Sequence, residues 1–216
     1  MWQSVLHNLK LVWTARGLGW KRLKKIIHIA WHYEKLDGEV RTFRKKSKVS
    51  CIKGCGKCCE NVYLETSTIE LLPLALVLWN RPKRDLWLRK LKKLPSEGRC
   101  VFYQKSLAGP GQGRCRIYHL RPLMCRLFGY AAKKNKFGNK QWVLCNPLKG
   151  LLGMKYVELS YAINKDLSIP SANDYRMKIQ QVASGSEARL QALPDALYDA
   201  MSVVSLLGPK FKNQKS

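Results

Sequence analysis

Four cysteines fall within nine residues, Cys51-Ile-Lys-Gly-Cys55-Gly-Lys-Cys58-Cys59. Packing has no use for so many thiols in so short a stretch. A ligand loop does, because thiolate sulfur is a soft donor that suits zinc or iron–sulfur. Gly54 and Gly56 free the backbone for the tight path such a loop follows, since only glycine takes positive φ cheaply. In an extended chain the neighbouring side chains of Cys58 and Cys59 diverge. The pair is therefore expected to feed separate metals or flank a multinuclear cluster, unless one thiol is spare.

Four more cysteines follow, Cys100, Cys115, Cys125 and Cys145. The candidate metal ligands are then Cys51, Cys55, Cys58, Cys59, Cys100, Cys115, Cys125 and Cys145. A late cysteine taken alone, Cys145 above all, is also explained as a small buried hydrophobe. A helix that begins at Pro122 puts Cys125 in its first turn, where free N–H groups and the helix dipole lower a thiol's pKa. Arg121 and Arg126 bring positive charge to the same place and would offset the negative charge of metal-bound thiolates. With Tyr118 they are also candidates to face a cofactor or substrate, as guanidinium forks hold carboxylate or phosphate. The plainer alternative makes Arg126 a charge balance and Arg121 a helix cap. A Cys125 nucleophile beside His119 and Arg126 is conceivable, but ligation explains that thiol better. His28 and His32 stand four apart and could chelate, yet they lie far from the cysteines, and a packing or surface role is expected.

The chain has 216 residues and a formal charge of +26. An apolar share of 46% excludes disorder throughout. The charge is +9 over residues 1–50, +15 over 51–150 and +2 over 151–216. Such a field attracts an anionic partner, whether nucleic acid, anionic lipid or acidic protein, without choosing among them. Zinc-finger spacing with paired histidines is absent, as are His-Glu-x-x-His and Gly-x-Ser-x-Gly, and acidic residues are too scarce for a catalytic carboxylate pair. The longest apolar run, Leu71 to Trp79, is interrupted by Pro73 and falls far short of the roughly 20 residues that span a bilayer. With no secretory signal in view, the expected location is the cytoplasm, where thiols stay reduced, or the periphery of the inner membrane surface.

Three segments are expected. Residues 1–50 read as a basic amphipathic helical segment, 1–36, broken near Gly17 and Gly19, followed by a linker with the Arg44-Lys45-Lys46 run. Residues 51–150 form the cysteine-bearing domain. Its strand candidates are Val62–Glu65, Cys100–Gln104, Arg114–Tyr118 and Gln141–Cys145. Its helices start at a Ser67/Glu70 capping box, at Asp85 (to Leu94), and at Pro122 (to about Lys133). Residues 151–216 read as a helical cap, with breaks at Pro170 and Gly185 and a polar tail from Gly208. The fold class expected is α+β, with an irregular metal-stapled centre between helical ends.

Cys51, Cys55, Cys58 and Cys59, then Cys100, Cys115, Tyr118, Arg121-Pro122 and Cys125-Arg126, resemble the YkgJ-like cysteine-cluster family. That family is named for a CxxCxxCC signature, and the resemblance implies a zinc- or iron-chelating domain over about 51–145. The first gap here is three residues, Ile52 to Gly54, where the signature has two. A related pattern occurs in flagellin lysine methylases, which implies an iron–sulfur cluster and S-adenosylmethionine there. No Rossmann-type glycine fingerprint stands in this chain, so that activity is not carried over. The resulting expectation is a metal-binding protein, structural or serving a redox or modification reaction. The alternative is a nucleic-acid-binding or membrane-surface protein with a structural zinc.

Overall fold

The computed structural model describes residues 18–60, 64–79, 84–92, 99–106 and 113–206. It begins with helix α1 (Leu18–Ser47), a 3-10 turn (Lys57–Cys59), strand β1 (Glu65–Ser67), and helices α2 (Thr68–Trp79) and α3 (Arg84–Lys92). Strands β2 (Tyr103–Lys105) and β3 (Gly113–Cys115) follow, then helix α4 (Leu123–Leu127) and strands β4 (Ala131–Lys134) and β5 (Lys140–Val143). Helices α5 (Asn146–Leu152), α6 (Lys155–Lys165) and α7 (Ala172–Val182), strand β6 (Leu190–Ala192) and helix α8 (Leu193–Ser205) complete it. Three antiparallel pairs, β1–β6, β2–β3 and β4–β5, lie among the helices, and the fold is α+β.

Helix α2 organises the larger core. Every residue from Thr68 to Leu78 is buried, so α2 is hidden on all sides and needs partners all round. Helix α8 supplies one, burying Leu193, Ala196, Leu197, Ala200, Met201 and Val204 at steps of three and four. Helix α1 supplies another through Leu23, Ile26, Ile29, Tyr33 and Leu36. A smaller core gathers Phe43 and Val49 with Tyr130, Ala132, Trp142, Leu148 and Ile163. Val40 packs against both.

The linker expected over 37–50 is helix as far as Ser47. The apolar face of α1 runs on through Phe43 to Ser47, and burial of that face outweighs Gly38 and the basic run. Arg44, Lys45 and Lys46 occupy the last turn, where cations suit the carbonyl end of a helix. Gly19 also sits inside α1; the rest of the N-terminal segment, residues 1–17, lies outside the described residues. So do Val62 and Tyr63 of one expected strand, 93–94 of one expected helix, and the expected tail from Gly208.

The helix expected from Pro122 to Lys133 stops at Leu127. Gly129 takes φ +81°, and the chain reverses into β4, whose Ala131 and Ala132 pair with Val143 and Trp142. The β4–β5 turn is held by Asn135, whose side-chain oxygen accepts from the N–H groups of Phe137 (2.9 Å) and Asn139 (3.0 Å). Strand β6 and the break at Gly153 between α5 and α6 went unforeseen. The pairing β2–β3 is shifted from the expected strands, with Tyr103 opposite Cys115.

Two buried charged side chains join the pieces around α4. The Glu70 carboxylate accepts from the Ser67 N–H (3.2 Å) and hydroxyl (2.9 Å), and its other oxygen accepts from the Leu123 N–H (3.0 Å). The expected capping box is thus half present: the glutamate reaches back, but the serine donates to it rather than capping the helix. Burial raises the Glu70 pKa against these hydrogen bonds. Arg126 is only 2% exposed. It donates to both Asp37 oxygens (2.7 and 2.6 Å), to the Arg121 carbonyl (2.8 Å) and to the His119 carbonyl, and lies 4.4 Å over the Tyr33 ring.

Among the described residues no helix is long and apolar enough to cross a membrane. Asp37→Ala leaves the buried Arg126 cation without its carboxylate and is expected to destabilise the fold by about 3 kcal/mol in urea unfolding. A loss below about 1 kcal/mol would show that the carbonyls alone satisfy Arg126.

Candidate metal centre

The 51–60 loop takes its shape from two left-handed glycines, Gly54 (φ 74°) and Gly56 (φ 61°). It docks on the β2–β3 pair through the Gly113 N–H, which donates to the Gly54 carbonyl at 2.8 Å. The Cys100 N–H donates to the Cys59 carbonyl at 2.7 Å. Gly56 has no room for a side chain: a Cβ there would lie 2.7 Å from the Tyr103 ring and 3.1 Å from the Gly113 backbone. These contacts bring the first cysteine cluster against Cys100 and Cys115.

All eight cysteines are free thiols. At the focus, the thiol of Cys59 hydrogen-bonds with those of Cys58, Cys100 and Cys115. Three stretches of chain thus meet at four sulfurs. The expected divergence of Cys58 and Cys59 does not hold, because the pair sits in a 3-10 turn, where successive side chains fan round an axis instead of alternating across an extended strand. The hydrogen bond with Cys59, aided by the Arg121 cation and local backbone N–H groups, brings the Cys58 thiol down to about 6 despite burial. The Cys59 thiol, whose proton these contacts hold, is pushed far up. Cys100 and Cys115 are lowered by the same contacts. Among the described residues, no three His, Cys, Asp or Glu side chains stand in ready-made ligating geometry, so the four sulfurs are neighbours in hydrogen-bond contact rather than a preformed tetrahedron.

The other cysteines surround this focus. Cys125, in α4, interacts electrostatically with Cys58, Cys100 and Cys115. Its pKa is raised, not lowered as its first-turn position suggests: α4 has only five residues, and burial outweighs so short a dipole. Cys51 interacts with Cys55, Cys58 and Cys145, and burial raises it as well. Cys51 is placed by its N–H, which donates to the Tyr130 hydroxyl at 2.8 Å. The histidine pair is remote, and its rings stack 4.9 Å apart on α1. Burial lowers the His32 pKa.

The three residues expected to face a ligand separate into two roles. Arg121 is the cation felt by Cys51, Cys58, Cys115 and Cys125. Its guanidinium lies 3.6 Å from the centroid of the Tyr118 ring, and its Nε donates to the Tyr118 carbonyl at 2.7 Å. Tyr118 is 41% exposed. Arg126 instead faces α1 and fixes the 119–121 turn from behind. All three line a cleft of about 200 Å³ with Asp37, Val40, Arg41, Arg44, His119 and Tyr130. Sequence reasoning missed the α1 wall of this cleft. The signal available was Asp37, Arg41 and Arg44 at helical spacing, obscured by assigning 37–50 to a linker.

The family comparison covers this same region. Residues 50–146 match the family model described as "CxxCxxCC: Putative zinc- or iron-chelating domain". All eight cysteines lie within the matched residues, as does Arg121. No curated protein and no solved structure matches the chain.

The donor set fits the metals that description names. Three sulfurs gathered on that of Cys59, with Cys125 close enough to interact and a guanidinium at their edge, are soft, charge-compensated donors of the kind zinc or iron takes. Gly56→Ala forces a positive φ and a backbone clash, and is expected to cost about 2 kcal/mol in thermal unfolding and to lower metal content. Gly150→Ala, in a helix with open space around it, is expected to be neutral or stabilising by up to about 1 kcal/mol. Equal effects from the two would remove the special role of Gly56.

Proposed function

We propose that the chain is a metal-chelating protein in which Cys58, Cys59, Cys100 and Cys115 form the inner ligand set for zinc or an iron–sulfur cluster. The observation that carries this reading is the contact of the Cys59 thiol with its neighbour Cys58 and with Cys100 and Cys115 from two other stretches of chain. Cys125 and the group Cys51, Cys55 and Cys145 are the further donors, available to a multinuclear cluster or a second metal. Bound zinc would cross-link the loops, and an iron–sulfur cluster would add one-electron chemistry. Arg121 balances thiolate charge, and Arg126 with Asp37 holds the turn that carries it. In its fuller form the centre serves a redox or modification reaction, with Tyr118, Arg121 and Arg126 at the wall of the adjoining cleft. The expected setting is the cytoplasm.

Metal analysis of anaerobically purified protein tests this. The wild type should carry zinc, or iron with brown visible absorption. Cys58→Ser/Cys59→Ser should lose the metal and melt at a lower temperature, because binding and folding share one free energy. Retention of both metal and melting temperature in the double variant would overturn the ligand set.

A second reading rests on the outer face of α1. Trp20, Ile27 and Trp31 are exposed there at helical spacing. Lys24 and Lys35 sit over the two tryptophan rings. Indole beside ammonium suits an anionic surface, lipid or nucleic acid. Wild-type protein should co-sediment with vesicles containing phosphatidylserine, and Trp20→Ala/Trp31→Ala should lower the bound fraction severalfold. Equal sedimentation of the two would end the membrane form of this reading.

A further inference from the structure

The cleft beside the sulfur centre is built for negative charge. Its one carboxylate, Asp37, is already paired with Arg126. Arg41, Arg44 and Arg121 remain as three more guanidinium groups along the wall, and among the described residues none of them meets a carboxylate. They come from two separate elements, α1 and the turn before α4, so no single helical charge run explains their meeting. Two are backed by aromatic rings. Arg121 lies over Tyr118, and Arg44 lies 5.6 Å from the centroid of Tyr130 while its Nη2 reaches the Ser50 hydroxyl at 3.3 Å. Stacking fixes the plane of a guanidinium and leaves its N–H edge for an oxyanion.

We infer that this cleft binds a phosphate group. Three cations around one concavity repel one another, and a tetrahedral dianion relieves that repulsion more fully than a single carboxylate does. At about 200 Å³ the cleft admits a phosphate with only a small organic body. The inference deepens the reading of this wall as the ligand-facing side of the centre. It shares Arg121 with the proposed metal site, whereas Arg41 and Arg44 belong to α1.

Calorimetric titration of the full chain at constant ionic strength tests it, with inorganic phosphate and pyrophosphate as soluble probes and acetate as the carboxylate probe. A parallel arm uses phosphatidylcholine vesicles with and without phosphatidic acid, which separates a lipid headgroup from a free phosphate. Arg41→Gln/Arg44→Gln changes two exposed side chains. It should weaken binding at least tenfold in the arm that contains the source. Lys133→Gln/Lys134→Gln, the same loss of charge at two exposed β4 residues outside the cleft lining, should change it less than twofold, and Arg41→Lys/Arg44→Lys should fall between. Equal losses from the Arg and Lys pairs in both arms, no saturable binding, or acetate bound as tightly as phosphate would each overturn the inference. Arginine-dependent phosphate binding by protein that holds no zinc or iron would sink the metal reading and leave this one standing.

Discussion

A guanidinium with almost no access to water must have its charge met by the fold, or the fold does not form. Arg126 is that group. Asp37 from α1 supplies the counter-charge, and the carbonyls of His119 and Arg121 absorb further N–H groups. The chain between residues 119 and 126 is thereby drawn into one conformation against the long helix. The same turn carries Arg121 to the cysteines, so one buried cation in the helical body sets the charge at the edge of the sulfur centre.

Glu70 does the matching work with opposite sign. Helix α4 has too few residues to stand alone, since a helix of one or two turns pays the nucleation cost with little return. It persists because Glu70 caps its Leu123 N–H while the peptide carbonyl of Glu70 accepts the Tyr33 hydroxyl at 3.0 Å. Cys125 is held in place by this arrangement. The cysteine-bearing stretch is therefore continuous with the helical core around α2: Cys125 is positioned by a buried carboxylate of α2, and Arg121 by the Arg126–Asp37 pair on α1, before any ion is considered. That differs from a small zinc module, where the metal alone organises the loops.

What could be read from the sequence follows from the range of the interactions involved. Cysteine spacing is local, and it marked the 51–59 loop and its later partners. The all-apolar α2 and the stepped α8 were legible because periodicity is local too. The failures fall where distant residues decide. Residues 37–47 carry glycine and a basic run, and only the burial of Phe43 among Tyr130, Ala132 and Trp142 shows them to be helix. Ala-Ala-Lys-Lys reads as helix until Gly129 turns the chain and Trp142 pairs across. The roles of Arg121 and Arg126 could not be told apart from their neighbouring positions, because the difference is made by Asp37, far away in sequence. Cys58 and Cys59 turned on backbone conformation: in a 3-10 turn successive side chains stand about 120° apart round the axis, where in a strand they point to opposite faces.

The excess of positive charge is larger than the centre needs. A few guanidinium groups near the sulfurs would suffice to offset thiolate charge, and Arg121 already reaches four of the eight cysteines electrostatically. Other cations of the 51–150 segment, such as Lys133, Lys134 and Lys136 on the β4–β5 hairpin and its turn, stand exposed and well screened by solvent. Charges so placed contribute little to stability individually, but their fields sum over the surface and concentrate anions near it. In the cleft between α1 and the 118–121 turn, guanidinium groups converge in a concave, aromatic-backed wall. The diffuse field raises the local concentration of anions, and this wall supplies the directional hydrogen bonds that select among them. General attraction and local geometry thus fall to different cations: the dispersed surface charges, and the arginines of the wall, which among the described residues meet no carboxylate.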